Sequence, residues 1–367
     1  MTTDRLTPLA DEHRRLGART GPFGGWLMPI QYPDGIIAEH HWTRRSAGVF
    51  DTCHMGMFAI TGDAETTGLE YALTCPVGSL PVGGCRYGFL LNDAGGIADD
   101  VVVMRLGDED WIVVVNAATA TRDEQHLRAI MRRPEAVRSI AAETGKLDLQ
   151  GPLSREVLRP FLPPGILETL GYYRTVRTRM ADMDVIVSRT GYTGELGYEL
   201  FVPRDRVVTV WRTLLHDERV KPAGLGARDT LRLEMGYPLY GQDITADTTP
   251  FEAGLERFVD LRKFFHGKSA LIEQWASGIK RRLVGCRTDS RRSPRHGHRI
   301  LAGGRVVGSV TSGSFSPSLG CGIALGYVET AYAEPGIGVV ITDGGMELPA
   351  IVTEPPFYRD GTARTGG

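Results

Sequence analysis

The chain has 367 residues, of which 42% are apolar and 23% charged, a size and mix that suit about two or three globular domains. Its 42 basic and 44 acidic residues leave a formal net charge of -2, so no field for a polyanion exists and no nucleic-acid partner is expected. No apolar run reaches the roughly 20 residues of a bilayer span, and Met1-Thr2-Thr3-Asp4-Arg5 has no apolar core behind it, so neither a membrane nor a secretory route is expected. Cys53, Cys75, Cys85, Cys286 and Cys321 show no C-x-x-C spacing, and an odd number cannot pair fully, which points to reduced thiols in a cytoplasmic compartment.

In chain order, a first helix is expected through His13 and Leu16, broken by Gly24-Gly25-Trp26. A second is expected from Ile36 to Ala47. From Val49 to about residue 140 the pattern turns β-like. Phe58–Thr61, Gly88–Leu91, Val101–Met104 and Trp111–Val115 read as strands, with Gly107-Asp108-Glu109-Asp110 as a turn. A helix from Thr119 to Met131 follows. Val185–Val187 and Glu199–Val202 are further strands around a glycine-rich turn, and 206–215 and 225–235 are helices. The polar run from Asp289 to His298 reads as a loop. Short β runs between glycine-rich turns then extend to about Val352, which suggests an all-β C-terminal domain.

Several familiar chemistries are missing. Gly267-Lys268-Ser269 lacks the upstream glycine of a phosphate loop, because Arg262 stands there. Gly224-Leu225-Gly226 lacks the third glycine of a dinucleotide turn. His40 and His41 are adjacent and diverge on a helix, so a packing or surface role is expected for them and no metal site.

Three segments carry candidate chemistry. In Asn92-Asp93-Ala94-Gly95-Gly96-Ile97-Ala98-Asp99-Asp100, the last acid directly precedes a strand, and Asn116 directly follows the next one. Pairing Leu106 with Trp111 across the turn sets Val101 opposite Asn116 and brings Asp100 to the same end of the hairpin. An acid and an amide at one strand end suit a site that reads a small polar heterocycle. The same spacing also fits Asp99-Asp100 as a turn cap and Asn116 as a helix cap. In the second segment, Gly191-Tyr192-Thr193-Gly194-Glu195 leads into a strand where Glu199 shares a face with apolar Phe201. A carboxylate on such a face needs partners, unless it lies solvated at the strand start. In the third, Arg228 and Arg232 lie one helical turn apart, and Asp229 is spaced to pair with Arg232, as a surface salt-bridge network would be.

Together with Phe23-Gly24-Gly25-Trp26, Phe50-Asp51-Thr52-Cys53-His54-Met55-Gly56, Val115-Asn116-Ala117-Ala118-Thr119 and Thr311-Ser312-Gly313-Ser314-Phe315-Ser316-Pro317, these segments occur in an order that resembles the T-protein (aminomethyltransferase) family of the glycine cleavage system. The resemblance runs from Leu9 to about Phe357. It implies an α+β fold, a three-domain cloverleaf with two ferredoxin-like α+β domains and a C-terminal β-barrel around a central folate channel. The implied ranges are 1–48 with 142–278, an inserted 49–141, and 279–367. The implied co-substrate is tetrahydrofolate and the implied partner is lipoylated H-protein, whose aminomethyl group yields 5,10-methylenetetrahydrofolate and ammonia.

Carried over by residue, Asp100 resembles the family's catalytic carboxylate, rather than Asp99, because related folate enzymes keep the acid directly before the β run. Glu199 and Arg228 resemble its folate-binding acid and arginine. Met55, Tyr87, Asn116 and Tyr192 resemble residues lining the pterin site. Thr52-Cys53 departs from the common Val-Ser before His-Met, and Pro355–Asp360 departs from the expected endings. Two relatives of the same fold are alternatives. The non-enzymatic folate-binding iron-sulfur maintenance proteins carry a cysteine motif that Gly236–Asp243 lacks. A folate-dependent demethylase of another one-carbon donor is the other.

Overall fold

A computed structural model describes residues 4–364. The chain forms two compact units: one comprises the chain up to Gly88, Asp100–Arg228 and the stretch from Gly361, and the other Phe89–Asp99 and Asp229–Asp360. Mixed helices and sheets build the first, and a closed barrel dominates the second.

The first unit opens with helix Ala10–Arg15 and then a hairpin of strands Arg19–Phe23 and Trp26–Gln31. Gly24 and Gly25 turn the hairpin at φ 57° and 80°, a region that costs a residue without Cβ nothing. Neither strand is evident from sequence, since Pro22 and Pro29 argue against strands by propensity. Helix Ile36–Arg45 ends earlier than expected because Ala47 already begins a strand.

That strand, Ala47–Asp51, belongs to a six-stranded sheet ordered Thr175–Met180, Met183–Ser188, Gly197–Pro203, Thr144–Gln150, Ala47–Asp51, Val220–Pro222. A domain boundary between residues 48 and 49 therefore cuts a strand. In the Thr144–Gln150 strand, Leu147 and Leu149 enter a core with Val49, Val187, Leu200 and Trp211, the last from helix Val207–Leu215. Burying each such side chain contributes about 1.5–3 kcal/mol. Strand alternation then sends Lys146, Asp148 and Gln150 to the opposite face, and all three are buried there too.

A five-stranded sheet takes the order Cys85–Leu91, Ile97–Gly107, Asp110–Val115, Gly56–Thr61, Val137–Ser139. The expected pairing of Leu106 with Trp111 is off by one residue. Arg105 pairs with Trp111 and Gly107 with Asp110, so Leu106 is the bulge. The register continues through Val102 opposite Val114, which places Asp100 itself, not Val101, opposite Asn116.

In the second unit, strands Arg281–Thr288, Cys321–Glu329, Arg305–Ser316, Arg299–Ala302, Gly338–Thr342 and Glu347–Thr353 close into a barrel. Val284, Ile300, Val310, Ile341 and Val352 fill it. Asp289–His298 is a loop, as its composition suggests. Arg232 is not part of a surface network. It is buried and donates to Asp243, Ser312, Asp229 and the Tyr237 carbonyl, so only the Asp229 pair of the expected arrangement survives. Among the described residues no helix is long and apolar enough to cross a membrane. All five cysteines are free and buried.

Candidate active site

Asp100 is held at both carboxylate oxygens. The Tyr87 hydroxyl donates to Oδ2 at 2.9 Å and the Asn116 amide donates to Oδ1 at 2.8 Å. Register explains the second bond, because residues directly opposite in an antiparallel pair bring their side chains together. The following helix, Ala120–Ile130, has Thr119 at its N-terminus, and the Thr119 hydroxyl bonds the Asn116 carbonyl. Alternation separates the two adjacent acids: Asp99 points to the other face and is fully buried, while Asp100 is half-buried on the face of Val102 and Met104.

The run before Asp100 is a built turn within the second unit. The Asn92 side chain accepts from the Ala94 and Gly96 amides and donates to the Ala246 carbonyl at 2.9 Å. A Cβ on Gly96 would lie 1.8 Å from the Ala246 oxygen, so only glycine fits.

A second cluster surrounds Glu199, whose side chain is 12% exposed. Glu199 sits opposite Asp148 in the strand register, and Phe201 sits opposite Lys146. Lys146 Nζ lies 2.6 Å from Asp148 Oδ1 and 3.3 Å from Glu199 Oε2. Arg228, from helix Leu225–Glu234, donates to Asp148 Oδ2 at 2.8 Å and stacks 5.1 Å from the Tyr192 ring centre. Thr52 donates to Asp148 at 2.9 Å. Two cations thus face two carboxylates. Burial raises both acids, but Lys146 and Arg228 outweigh it at Asp148 and hold that carboxyl below its usual range. At Glu199 burial, reinforced by Asp148, outweighs the same cations, so its carboxyl is raised.

The clusters meet along one strand. Cys85 and Tyr87 share a face of Cys85–Leu91, and Cys85 Sγ lies 3.4 Å from the hydroxyl of Ser188, which is register partner to Glu199. Burial pushes the Tyr87 hydroxyl well up, and the Asp100 carboxylate that it bonds pushes it further, so it stays a donor. Met55 lies against the apolar group of Met57, Cys85, Met104, Ile112, Val114 and Phe201, which floors this region. His54 is buried against Phe23, and burial lowers its imidazole to about 4, so it is neutral.

The structure therefore brings Tyr87 and Asn116 onto Asp100, and Glu199, Arg228 and Tyr192 around one ion pair. Sequence inspection misses that pair, Lys146 and Asp148. The signal is present: polar and apolar residues alternate in Lys146-Leu147-Asp148-Leu149-Gln150, which is strand periodicity with charges on one face.

Residues 9–263 match the family described as the GCVT N-terminal domain, and residues 281–359 that described as the glycine cleavage T-protein C-terminal barrel domain. The chain belongs to the glycine cleavage T-protein, or aminomethyltransferase, family. An aminomethyltransferase of Saccharopolyspora erythraea is 42% identical over 366 residues, covering 98% of this chain and 99% of that protein. One of Rubrobacter xylanophilus is 42% identical over 360 residues, covering 97% and 95%. The crystal structure of glycine cleavage system aminomethyltransferase T from Bartonella henselae matches with a TM-score of 0.91 at 35% identity, covering 98% of this chain and 99% of that one. The enzyme class is thus aminomethyl transfer, as the ordered motifs imply.

Proposed function

We propose that this aminomethyltransferase takes the aminomethyl group from the lipoyl arm of H-protein, passes its one-carbon unit to tetrahydrofolate and releases ammonia and 5,10-methylenetetrahydrofolate. A cytoplasmic setting goes with this reading. The observation that carries it is Asp100, fixed at both oxygens by Tyr87 and Asn116 in the unit that also holds Glu199, Arg228 and Tyr192.

The residues fit a folate. A pterin edge presents neighbouring N–H donors, and a carboxylate accepts about four hydrogen bonds. Lys146 reaches only one Glu199 oxygen within the salt-bridge pair at 3.3 Å, so Glu199 keeps accepting capacity. The stacked Arg228 and Tyr192 form a flat polar wall, and Met55 supplies apolar contact. Tetrahydrofolate supplies the nitrogen that receives the one-carbon unit. Asp100 moves a proton at its carboxylate and stabilises positive charge that develops beside it. Tyr87 and Asn116 keep its two oxygens aimed, so little reorganisation is needed at the moment of reaction. For the domains we propose the three ranges of the family pattern, with the first boundary moved past Asp51 so that no strand is divided.

The test supplies reduced lipoylated H-protein, ammonia and 5,10-methylenetetrahydrofolate and follows the reverse reaction. Turnover is expected. Demethylation of a methylated amine or sulfonium donor with no turnover on H-protein would overturn the proposed donor.

A further inference from the structure

We infer that Lys146 and Asp148 are positioning residues for the bound folate ring: Lys146 aims and compensates Glu199, while Asp148 aims and compensates Arg228. The inference rests on the proposal that Glu199 and Arg228 contact folate.

Three observations carry it. First, neither residue is exposed: the side chains of Lys146 and Asp148 are 2% and 0% accessible. Taking two such charges out of water is costly, and apolar residues of similar volume often serve stability as well or better. Core packing alone therefore gives no reason for the pair. Second, each member touches one ligand-side residue. Lys146 reaches Glu199 and Asp148 reaches Arg228, so the pair sits behind both. Third, Thr52 donates to Asp148 at 2.9 Å and accepts from Lys146 at 3.3 Å, so the buried pair has a hydroxyl partner besides the two ligand-side residues.

The consequence is chemical. Arg228 is already charge-compensated by Asp148 and Glu199 by Lys146, so the cluster has no net charge to offer. It presents an acceptor and a flat guanidinium to an uncharged ring edge, and gives no excess cation to a ligand carboxylate.

The groups facing Glu199 are Lys146 and Asp148 from the Thr144–Gln150 strand, Arg228 from its helix, and Cys85 across Ser188. The Cys85 thiol, pushed up to about 12 chiefly by burial, carries no charge at neutral pH. Glu199 must be ionised to accept ring donors at both of its oxygens. Because its carboxyl is raised, folate affinity is full above its midpoint and is lost as pH falls through it. Removing Lys146 moves that midpoint up, and removing the Asp148 charge moves it down.

The experiment titrates the intact protein with tetrahydrofolate across a pH series. Lys146→Met is expected to shift the midpoint upward by about one unit, which weakens binding about tenfold below it. Asp148→Asn keeps the side chain's shape and one acceptor oxygen, removes the charge, and is expected to shift the midpoint downward. Lys146→Arg restores the cation and is expected to return it towards the parent value. Shifts in the same direction for Lys146→Met and Asp148→Asn, or no shift, would overturn the inference. If Lys146→Met does not fold, the downward shift in Asp148→Asn still decides. Glu199→Gln and Arg228→Met test the underlying proposal separately: unchanged folate affinity in both would remove folate from this cluster altogether.

Discussion

Asp100→Asn removes one charge and almost no volume. Asn116 keeps an oxygen to donate to, and the Tyr87 hydroxyl turns from donor to acceptor beside the new amide. Both bonds fall from the charged class, about 1.5–3 kcal/mol each, to the neutral class, about 0.5–1.5 kcal/mol. Against that loss, burying a half-exposed amide costs less than burying a carboxylate. The two changes nearly cancel, and a residual of about 1 kcal/mol lowers the melting temperature of a chain this long by about 1–2 °C. Catalysis responds differently. A positioned acid or base contributes about 10²- to 10⁴-fold, or about 2.7–5.4 kcal/mol of barrier at 1.36 kcal/mol per decade. The expected pattern is a kcat and kcat/KM reduced together, with folate affinity changed by less than about tenfold. Steady-state assay with H-protein, a folate titration and a thermal melt measure the three quantities. A kcat within about threefold of the parent would refute the role of Asp100.

Other consequences follow from single contacts. Gly96→Ala sets a Cβ against the Ala246 carbonyl at 1.8 Å, so the Asn92 turn must move; a loss of about 1–3 kcal/mol is expected in denaturant unfolding, and an unchanged midpoint would contradict it. Asn116→Ala leaves Asp100 with the Tyr87 donor but without its amide, and a kcat loss smaller than that of Asp100→Asn is expected because the charge remains. Glu12 is held down to about 2, chiefly by the Arg212 hydrogen bond. Its folded value lies below the ordinary 4.5, so its stabilisation is present above that value and is lost as pH falls towards 2. Melting curves of Glu12→Gln should lie below the parent at neutral pH and converge with it near pH 2. Curves that stay apart there would show that the contribution is not electrostatic.

Much of this protein is written locally. An unbroken apolar, β-branched run marks Trp111–Val115, and glycine-rich punctuation marks the barrel turns, because residue preference and turn chemistry act between near neighbours. The order of motifs sufficed to identify the family, and Asp100 and Asn116 could be placed at one hairpin end from spacing alone. What spacing missed was a single bulge at Leu106, which moved the register by one and made Asp100 and Asn116 direct partners. A bulge is set by how a strand must bend against its neighbours, so a two-strand count does not contain it. Lys146 and Asp148 show the wider limit. Sequence by itself determines that they alternate with Leu147 and Leu149. Only the tertiary structure decides that their face is buried as well, because Glu199 and Arg228 reach them across 53 and 80 residues of chain, and burial is what turns four ordinary surface charges into a mutually compensated site.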